Sequence, residues 1–338
     1  MRSSAKNSIS ISIAFIHMAI SKVPLEQAII DRLLKESRIP LHLLQEPNAR
    51  VTLLQYTHLV TALKVASNDE LLGHGKQALP LDGLSLLTHW LVSVKTMEQA
   101  LNRLVRFFQL LGKGLEIKLY FEGELIHITI DNSGQSGGVG SFIAESILFS
   151  IHRILCWLIK EIFTLDHIYF QFEAPVYAKD YGLMFYGAPV SFNAKCTKIS
   201  FPKSLLKKPI QQNLINLNQF LKDPISELLL LNFKAENWAL RVANEIRENL
   251  NAIPTIAALA QTMKVKPYTL QRRLAEEGIT YQGIKKQVKR DAAIELLVST
   301  ELTIEEISTR LGFSETSPFT RTFKEWTGIP PSAYRKFK

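Results

Sequence analysis

Cysteine is almost missing from this chain: 338 residues hold only Cys156 and Cys196, forty positions apart and in no metal or redox spacing. That excludes a disulfide-stapled scaffold and leaves two reduced, buried thiols as the expectation. The eight histidines form no HxxH or HxxxH pair and have no cysteine beside them, so no metal site and no cofactor is expected. A glycine-rich stretch, Gly134-Gln-Ser-Gly-Gly-Val-Gly140, lacks the Lys-Ser/Thr of a phosphate loop and the spacing of a dinucleotide fingerprint, and reads as a strand-to-helix loop. The N-terminal half offers no nucleophile–base pairing either, which argues against an enzyme.

Long apolar runs are equally scarce. Residues 11–20 follow Arg2 and Lys6, yet Ser21-Lys22-Val23-Pro24 is no cleavage site, so a helix capped near Ser12 is expected instead of a leader. Residues 147–165 could cross a bilayer by length. They include His152, Arg153, Lys160 and Glu161, and each Arg or Lys at a bilayer centre costs roughly 2.5–3.5 kcal/mol. This run reads as a buried helix with a charged stripe, and the chain as a cytoplasmic protein without a membrane partner.

What is present is a +9 net charge and a 46% hydrophobic composition, ordinary for a soluble protein of two or three domains. A basic surplus favours a polyanionic partner, although only five of the nine excess charges fall in residues 240–338. Up to about residue 113 the apolar spacing is helical, over 26–35, 50–67 and 84–111, with turns at Pro40, Pro47-Asn48 and Pro80. A hairpin follows from Leu115, turning at Glu122-Gly123. Then come a helix over 142–163, a strand over 167–172 and another over 197–201. The fold class is therefore an α+β N-terminal domain, helices with a small and mostly antiparallel sheet. Trp90, Phe107, Phe108, Tyr120 and Phe121 are candidates for a pocket lining, with core packing as the plainer reading. Residues 1–205 form this N-terminal domain, 206–235 a connector and 236–338 an all-α C-terminal domain.

From Pro254 the sequence spells out two helix pairs. Thr255 caps a helix whose inner face is Ile256, Leu259, Ala260 and Met263. Pro267 suits the first position of the next helix, where its missing N–H costs nothing. Leu270 and Leu274 face inward there, which places Tyr268, Gln271 and Arg272 together on the opposite side. The second pair opens with a capping box, Thr303 to Glu306, and turns at Gly312-Phe313. Ser314 caps its second helix, with Phe319, Phe323 and Trp326 inward and Thr316, Ser317, Thr320 and Arg321 outward. Between the pairs, residues 281–299 form one amphipathic helix about 28 Å long at 1.5 Å per residue, near the ~34 Å between successive major grooves on one face of B-DNA. Two exposed stripes at that separation suit double-stranded DNA, although each alone reads equally as a solvated face.

These residues resemble the AraC/XylS family of bacterial regulators: Thr269-Leu-Gln-Arg-Arg-Leu274, Glu306-Ile307, Leu311-Gly-Phe313, Phe319-Thr-Arg-Thr-Phe-Lys324, Trp326-Thr-Gly328 and Pro331-Ser-Ala-Tyr-Arg335. The order of elements before them, with the opening Ser10-Ile-Ser-Ile-Ala-Phe15, resembles the subgroup with a non-cupin, arabinose-binding-like sensor, which includes regulators of ornithine use. The resemblance implies base contacts from Tyr268, Gln271 and Arg272 and from Thr316, Ser317, Thr320 and Arg321. It also implies a small-molecule effector, a homodimer, RNA polymerase as partner, and activation. Lys266, Arg273, Lys285, Lys289 and Lys324 are the phosphate-binding candidates. Three departures from the family pattern stand out. Lys266 replaces a capping Ser, a loss of ~0.5–2 kcal/mol for that helix start. Ser308 replaces a packed Ala, and Pro318 removes an N–H from the first turn of the second reading helix. An enzyme carrying DNA-binding helices and an architectural DNA protein remain the alternative readings.

Overall fold

The computed structural model describes residues 9–111, 115–131, 141–231 and 238–335. They group into two compact units, one drawn from Met1–Ile20, Glu26–Ala62 and Trp238–Lys338, the other from Ser21–Leu25 and Leu63–Asn237. Met1–Ile20 and Glu26–Ala62 thus share a unit with the C-terminal helices.

In chain order, β1 (Ser10–Ser12) leads to α1 (Ile13–Ser21), α2 (Gln27–Glu36), β2 (Arg50–Thr52) and α3 (Leu53–Ser67). Then come α4 (Gly83–Val92), α5 (Met97–Leu111), β3 (Glu116–Glu122), β4 (Leu125–Asp131), α6 (Ser141–Ile159) and β5 (His167–Tyr169). These are followed by α7 (Tyr181–Met184), β6 (Val190–Ser191), β7 (Thr197–Pro202), α8 (Leu214–Phe220) and α9 (Pro224–Leu229). The C-terminal helices are α10 (Trp238–Glu248), α11 (Ile256–Thr262), α12 (Pro267–Glu276), α13 (Tyr281–Ser299), α14 (Ile304–Arg310), α15 (Thr316–Thr327) and α16 (Pro331–Tyr334).

The second unit is built on a five-stranded sheet in the order β3-β4-β7-β5-β6, antiparallel except where β5 meets β6. Alternation sets its faces. Ile126, Ile128 and Ile130 on β4 and Ile199 and Phe201 on β7 point inward, none more than 2% exposed. Gly123, at φ +54, turns β3 into β4 where a side chain would be strained. Helix α6 packs against α5, α9 and β7. Its span Phe142–Ile159 is apolar and long enough to cross a membrane, but 89% of it is buried within the protein, as expected of a core helix. Phe107 and Phe108 belong to the core, whereas Phe121 is half exposed.

In the first unit β1 and β2 pair antiparallel, Ser10 opposite Thr52, and this ribbon packs on α13. Arg50 donates from Nε to the Ser10 hydroxyl at 2.6 Å and from Nη2 to the Ser10 carbonyl at 2.7 Å. The Ser10 hydroxyl donates in turn to the Asp291 carboxylate of α13, which also accepts from Arg290 Nε at 3.2 Å. The Arg50 backbone N–H donates to the Tyr334 hydroxyl at 3.0 Å. Arg50, Ser10 and Asp291 are all buried. Two short strands with little apolar surface of their own are therefore held by charge-assisted hydrogen bonds.

Several expectations need correction. Residues 50–52 are strand instead of helix because they pair with β1. The 84–111 run is two helices. Arg103 Nη1 takes up the Trp90 carbonyl and the Ser93 hydroxyl at the end of α4, and Gln99 accepts from the Lys95 N–H to start α5. Helix α6 ends at Ile159, and Lys160 turns the chain at φ +51 so that the Phe163 carbonyl can accept from His152. Strand β5 pairs over three residues only, and β1, β2 and β6 gave no periodic signal in so few residues. Helix α13 is buried on more than one stripe, with Gln287, Asp291, Ala293, Ile294 and Leu297 inside as well as Ile284, Val288, Ala292 and Leu296. The loop at Gly134–Gly140 lies outside the described residues.

Breaking a buried ion pair from one side costs about 3–5 kcal/mol. Asp291→Ala is expected to lower stability by that amount in urea unfolding followed by circular dichroism. A loss under about 1 kcal/mol would show that the ribbon is not held this way.

Candidate nucleic-acid interface

Each helix pair is set by local chemistry. In the first, the Thr255 hydroxyl accepts from the Ala258 N–H to start α11. The helix closes with Lys264 at φ +56, its N–H on the Gln261 carbonyl and the Val265 N–H on the Ala260 carbonyl. Glycine is usual at that left-handed position. Pro267 opens α12 behind Lys266, whose side chain makes no cap. Leu270 and Leu274 are at most 1% exposed, and Gly278 at φ +67 ends the helix by the same pair of carbonyl contacts. On the outer face Tyr268 is 75% exposed, with Gln271 and Arg272 exposed beside it. Arg272 is held by Glu276 one turn on, N to O 3.5 Å, an exposed pair easily exchanged for another anion.

In the second pair the capping box is formed in both directions: the Thr303 hydroxyl accepts from the Glu306 N–H and the Glu306 carboxylate from the Thr303 N–H. Gly312 closes α14 at φ +70, where a Cβ would meet the Asn251 carbonyl at 2.9 Å. Ser314 is not the cap of α15. The N-cap is Glu315, without a side-chain bond, and the turn is tied by the buried Ser308 hydroxyl, which donates to the Glu315 carbonyl at 2.9 Å. The serine in place of alanine is thus used. Pro318 is the third residue of α15, where a backbone N–H has no helical acceptor, so it removes no bond. Phe319 and Phe323 are fully buried; Ser317 and Arg321 are exposed, and Thr316 and Thr320 half-buried.

The phosphate candidates divide. Lys266 and Lys324 are exposed. Lys285 and Lys289 are half-buried on α13, and Lys289 lies 4.4 Å over the Phe313 ring. Burial, together with the charge of Lys285, lowers the Lys289 pKa. Arg273 stacks on Trp238 at 4.3 Å, as does Arg241 at 4.4 Å, so part of its work is packing. An open groove of about 600 Å³ beside α12 is bordered by Thr255, Gln271, Ala275, Ile279, Tyr281 and Lys285. Sequence reasoning missed Trp238 as a platform and Glu277 as a cap. Glu277 accepts from the Trp238 and Ala239 N–H groups at 2.9 and 2.8 Å, joining the end of α12 to the start of α10. Burial raises its pKa against those two bonds. In the sequence it was only one of two adjacent acids interrupting a basic run.

Two helix-turn-helix units on one shared helix define a DNA-binding transcription regulator. Residues 29–210 match the family model for the N-terminal arabinose-binding domain of AraC transcription regulators, and residues 259–336 a helix-turn-helix domain. The chain belongs to the AraC family, in the group whose N-terminal half is of that arabinose-binding type. It is 25% identical to the ornithine utilization regulator of Pseudomonas aeruginosa over 301 residues, covering 89% of this chain and 88% of that protein. It is 35% identical to the transcriptional regulator VqsM of the same organism over 82 residues, 24% of this chain and 25% of that one. Among solved structures, the regulator CdpR from Pseudomonas aeruginosa aligns over 91% of this chain and 97% of its own, at 22% identity and a TM-score of 0.33. These relatives are named as regulators and not as enzymes, and DNA is the partner of the family.

Removing the cap on α10 tests the local account. Glu277→Ala is expected to cost about 1–2 kcal/mol in thermal or urea unfolding; an unchanged midpoint would show that the two backbone bonds contribute nothing.

Proposed function

We propose that the chain is a sequence-specific regulator that sets α12 and α15 in successive major grooves and answers to a small-molecule effector held by its N-terminal half. The observation that carries this is the pair of outward stripes on α12 and α15, each opposed by a buried apolar stripe on the same helix. Base edges in the major groove display a distinct donor and acceptor pattern, which suits Tyr268, Gln271 and Arg272 on the first helix and Thr316, Ser317, Thr320 and Arg321 on the second. Lys266, Lys285, Lys289, Lys324 and the outer edge of Arg273 would take phosphates, so affinity would fall with salt. On this reading residues 1–205 sense, 206–235 connect and 236–338 bind DNA. The name of the ornithine utilization regulator supports a metabolite as effector. A cytoplasmic homodimer that activates by touching RNA polymerase completes the proposal.

Arg272→Ala and Arg321→Ala should each cost ~1–3 kcal/mol of specific affinity if the arginine reads a guanine. Footprint titrations identical to wild type would remove that residue from readout. Lys285→Ala should instead weaken specific and unrelated DNA alike and flatten the salt dependence by about one counterion. A loss confined to the specific site would reassign it to base contact.

A further inference from the structure

Helix α6 is the apolar core of the second unit, yet it carries two ionisable side chains on one buried face. Glu145, Phe149 and Arg153 recur at four-residue steps and so lie in line; they are 0%, 7% and 4% exposed. Each meets the segment 177–186. The Tyr177 hydroxyl donates to Glu145 Oε1 at 2.9 Å, Phe149 stands edge-on to Phe185, and Arg153 Nη2 donates to the Met184 carbonyl at 2.7 Å.

Arg153 is the anomaly. Its guanidinium lies 3.7 Å from the centre of the Tyr186 ring and 4.9 Å from that of Phe149, and its Nε–H has no acceptor. No carboxylate among the described residues lies within ion-pair distance of it. Burial pulls its pKa down to about 9, which still leaves it charged at neutral pH. A buried cation without a counter-charge is costly, and an apolar side chain of similar volume would serve the core better. Rings against its face leave the guanidinium edge, a planar fork of N–H donors that matches a carboxylate. Toward the start of the same helix, Glu145 Oε2 and the Tyr181 hydroxyl are buried without a well-formed hydrogen bond.

The neighbouring backbone is strained. Tyr186 sits at φ +54, unusual for a bulky residue, followed by Gly187 at φ +78. The Tyr186 hydroxyl donates to the Leu231 carbonyl at 3.1 Å, seven residues ahead of Trp238.

We propose that Arg153 receives the carboxylate of a small organic acid, that Glu145 and Tyr181 take a hydrogen-bond donor at the far end of that ligand, and that Tyr186 passes occupancy to Leu231 through its hydroxyl. The proposal rests on the effector-responsive reading above and names the class of effector. Entry requires 177–186 to part from α6, and the left-handed pair Tyr186-Gly187 is where the segment would hinge.

The test is thermal unfolding of the full chain, without DNA, against amino acids, hydroxy acids and amino- or hydroxy-terminated fatty acids at millimolar concentration, each beside its carboxamide. At least one acid should raise the midpoint by several degrees while its carboxamide does not. Arg153→Met should abolish that shift with the unliganded midpoint unchanged or raised. Tyr186→Phe should keep the shift but lose the effect of the acid on the DNase footprint. A carboxamide acting as well as its acid, a shift surviving in Arg153→Met, or no acid active in the whole panel would each overturn the site. A footprint that a bound acid leaves unaltered in wild type would overturn the effector reading. Either failure leaves DNA recognition by α12 and α15 standing, because the footprint of the unliganded protein tests that separately.

Discussion

Reading helix α15 packs directly on α13 and α12 reaches it through α10, and α13 is held by burial on most of its circumference together with one acid, Asp291. Strands β1 and β2 and helices α10, α14, α15 and α16 all pack on it. The Ser10 hydroxyl, itself bonded by Arg50, and Arg290 both donate to Asp291, so a side chain 281 positions away in sequence helps to seat this helix. A single-surface helix could rock on its neighbours. One gripped from several sides keeps its axis, and with it the spacing of whatever is attached to its ends.

The two units put ionisable groups to opposite uses. Around α13 the Asp291 carboxylate accepts from Ser10 and Arg290, and Ser10 from Arg50, and this network fixes a position. On α6 Arg153 has aromatic faces and one carbonyl, an arrangement stable enough to persist but improved by any anion that can reach its edge. Satisfied networks hold geometry, and unsatisfied ones leave free energy for a ligand to supply. The first arrangement suits a ruler, and the second suits a sensor.

Most of the C-terminal architecture was readable in the sequence because its signals are local. Thr255, Thr303, Gly278 and Gly312 each act within a turn of where they stand, and the boundaries of α13 fall at the residues its periodicity indicates. Ser314 misled because a good capping residue was outcompeted by Ser308, a residue in the preceding helix that ties the turn one position later. Misses elsewhere have the same origin in longer range. Strands β1 and β2 are three residues each and exist only by pairing across forty positions. Glu277 caps a helix thirty-nine residues before it. Arg153 looked like part of a charged stripe, and only the fold reveals that every neighbour is apolar or neutral. The outward stripes could be read because a core-facing leucine pair dictates what lies opposite.

If α13 is a rigid ruler, the DNA site must have a fixed length. The most direct measurement is the affinity of the full chain for its footprinted site with five or ten base pairs inserted between the two protected grooves. Both insertions should reduce binding to that of a single half-site. Ten restores the helical face but adds a full turn, ~34 Å, that a packed helix cannot span. Full affinity for the ten-base-pair insertion would contradict it, and would mean that the two units read DNA independently.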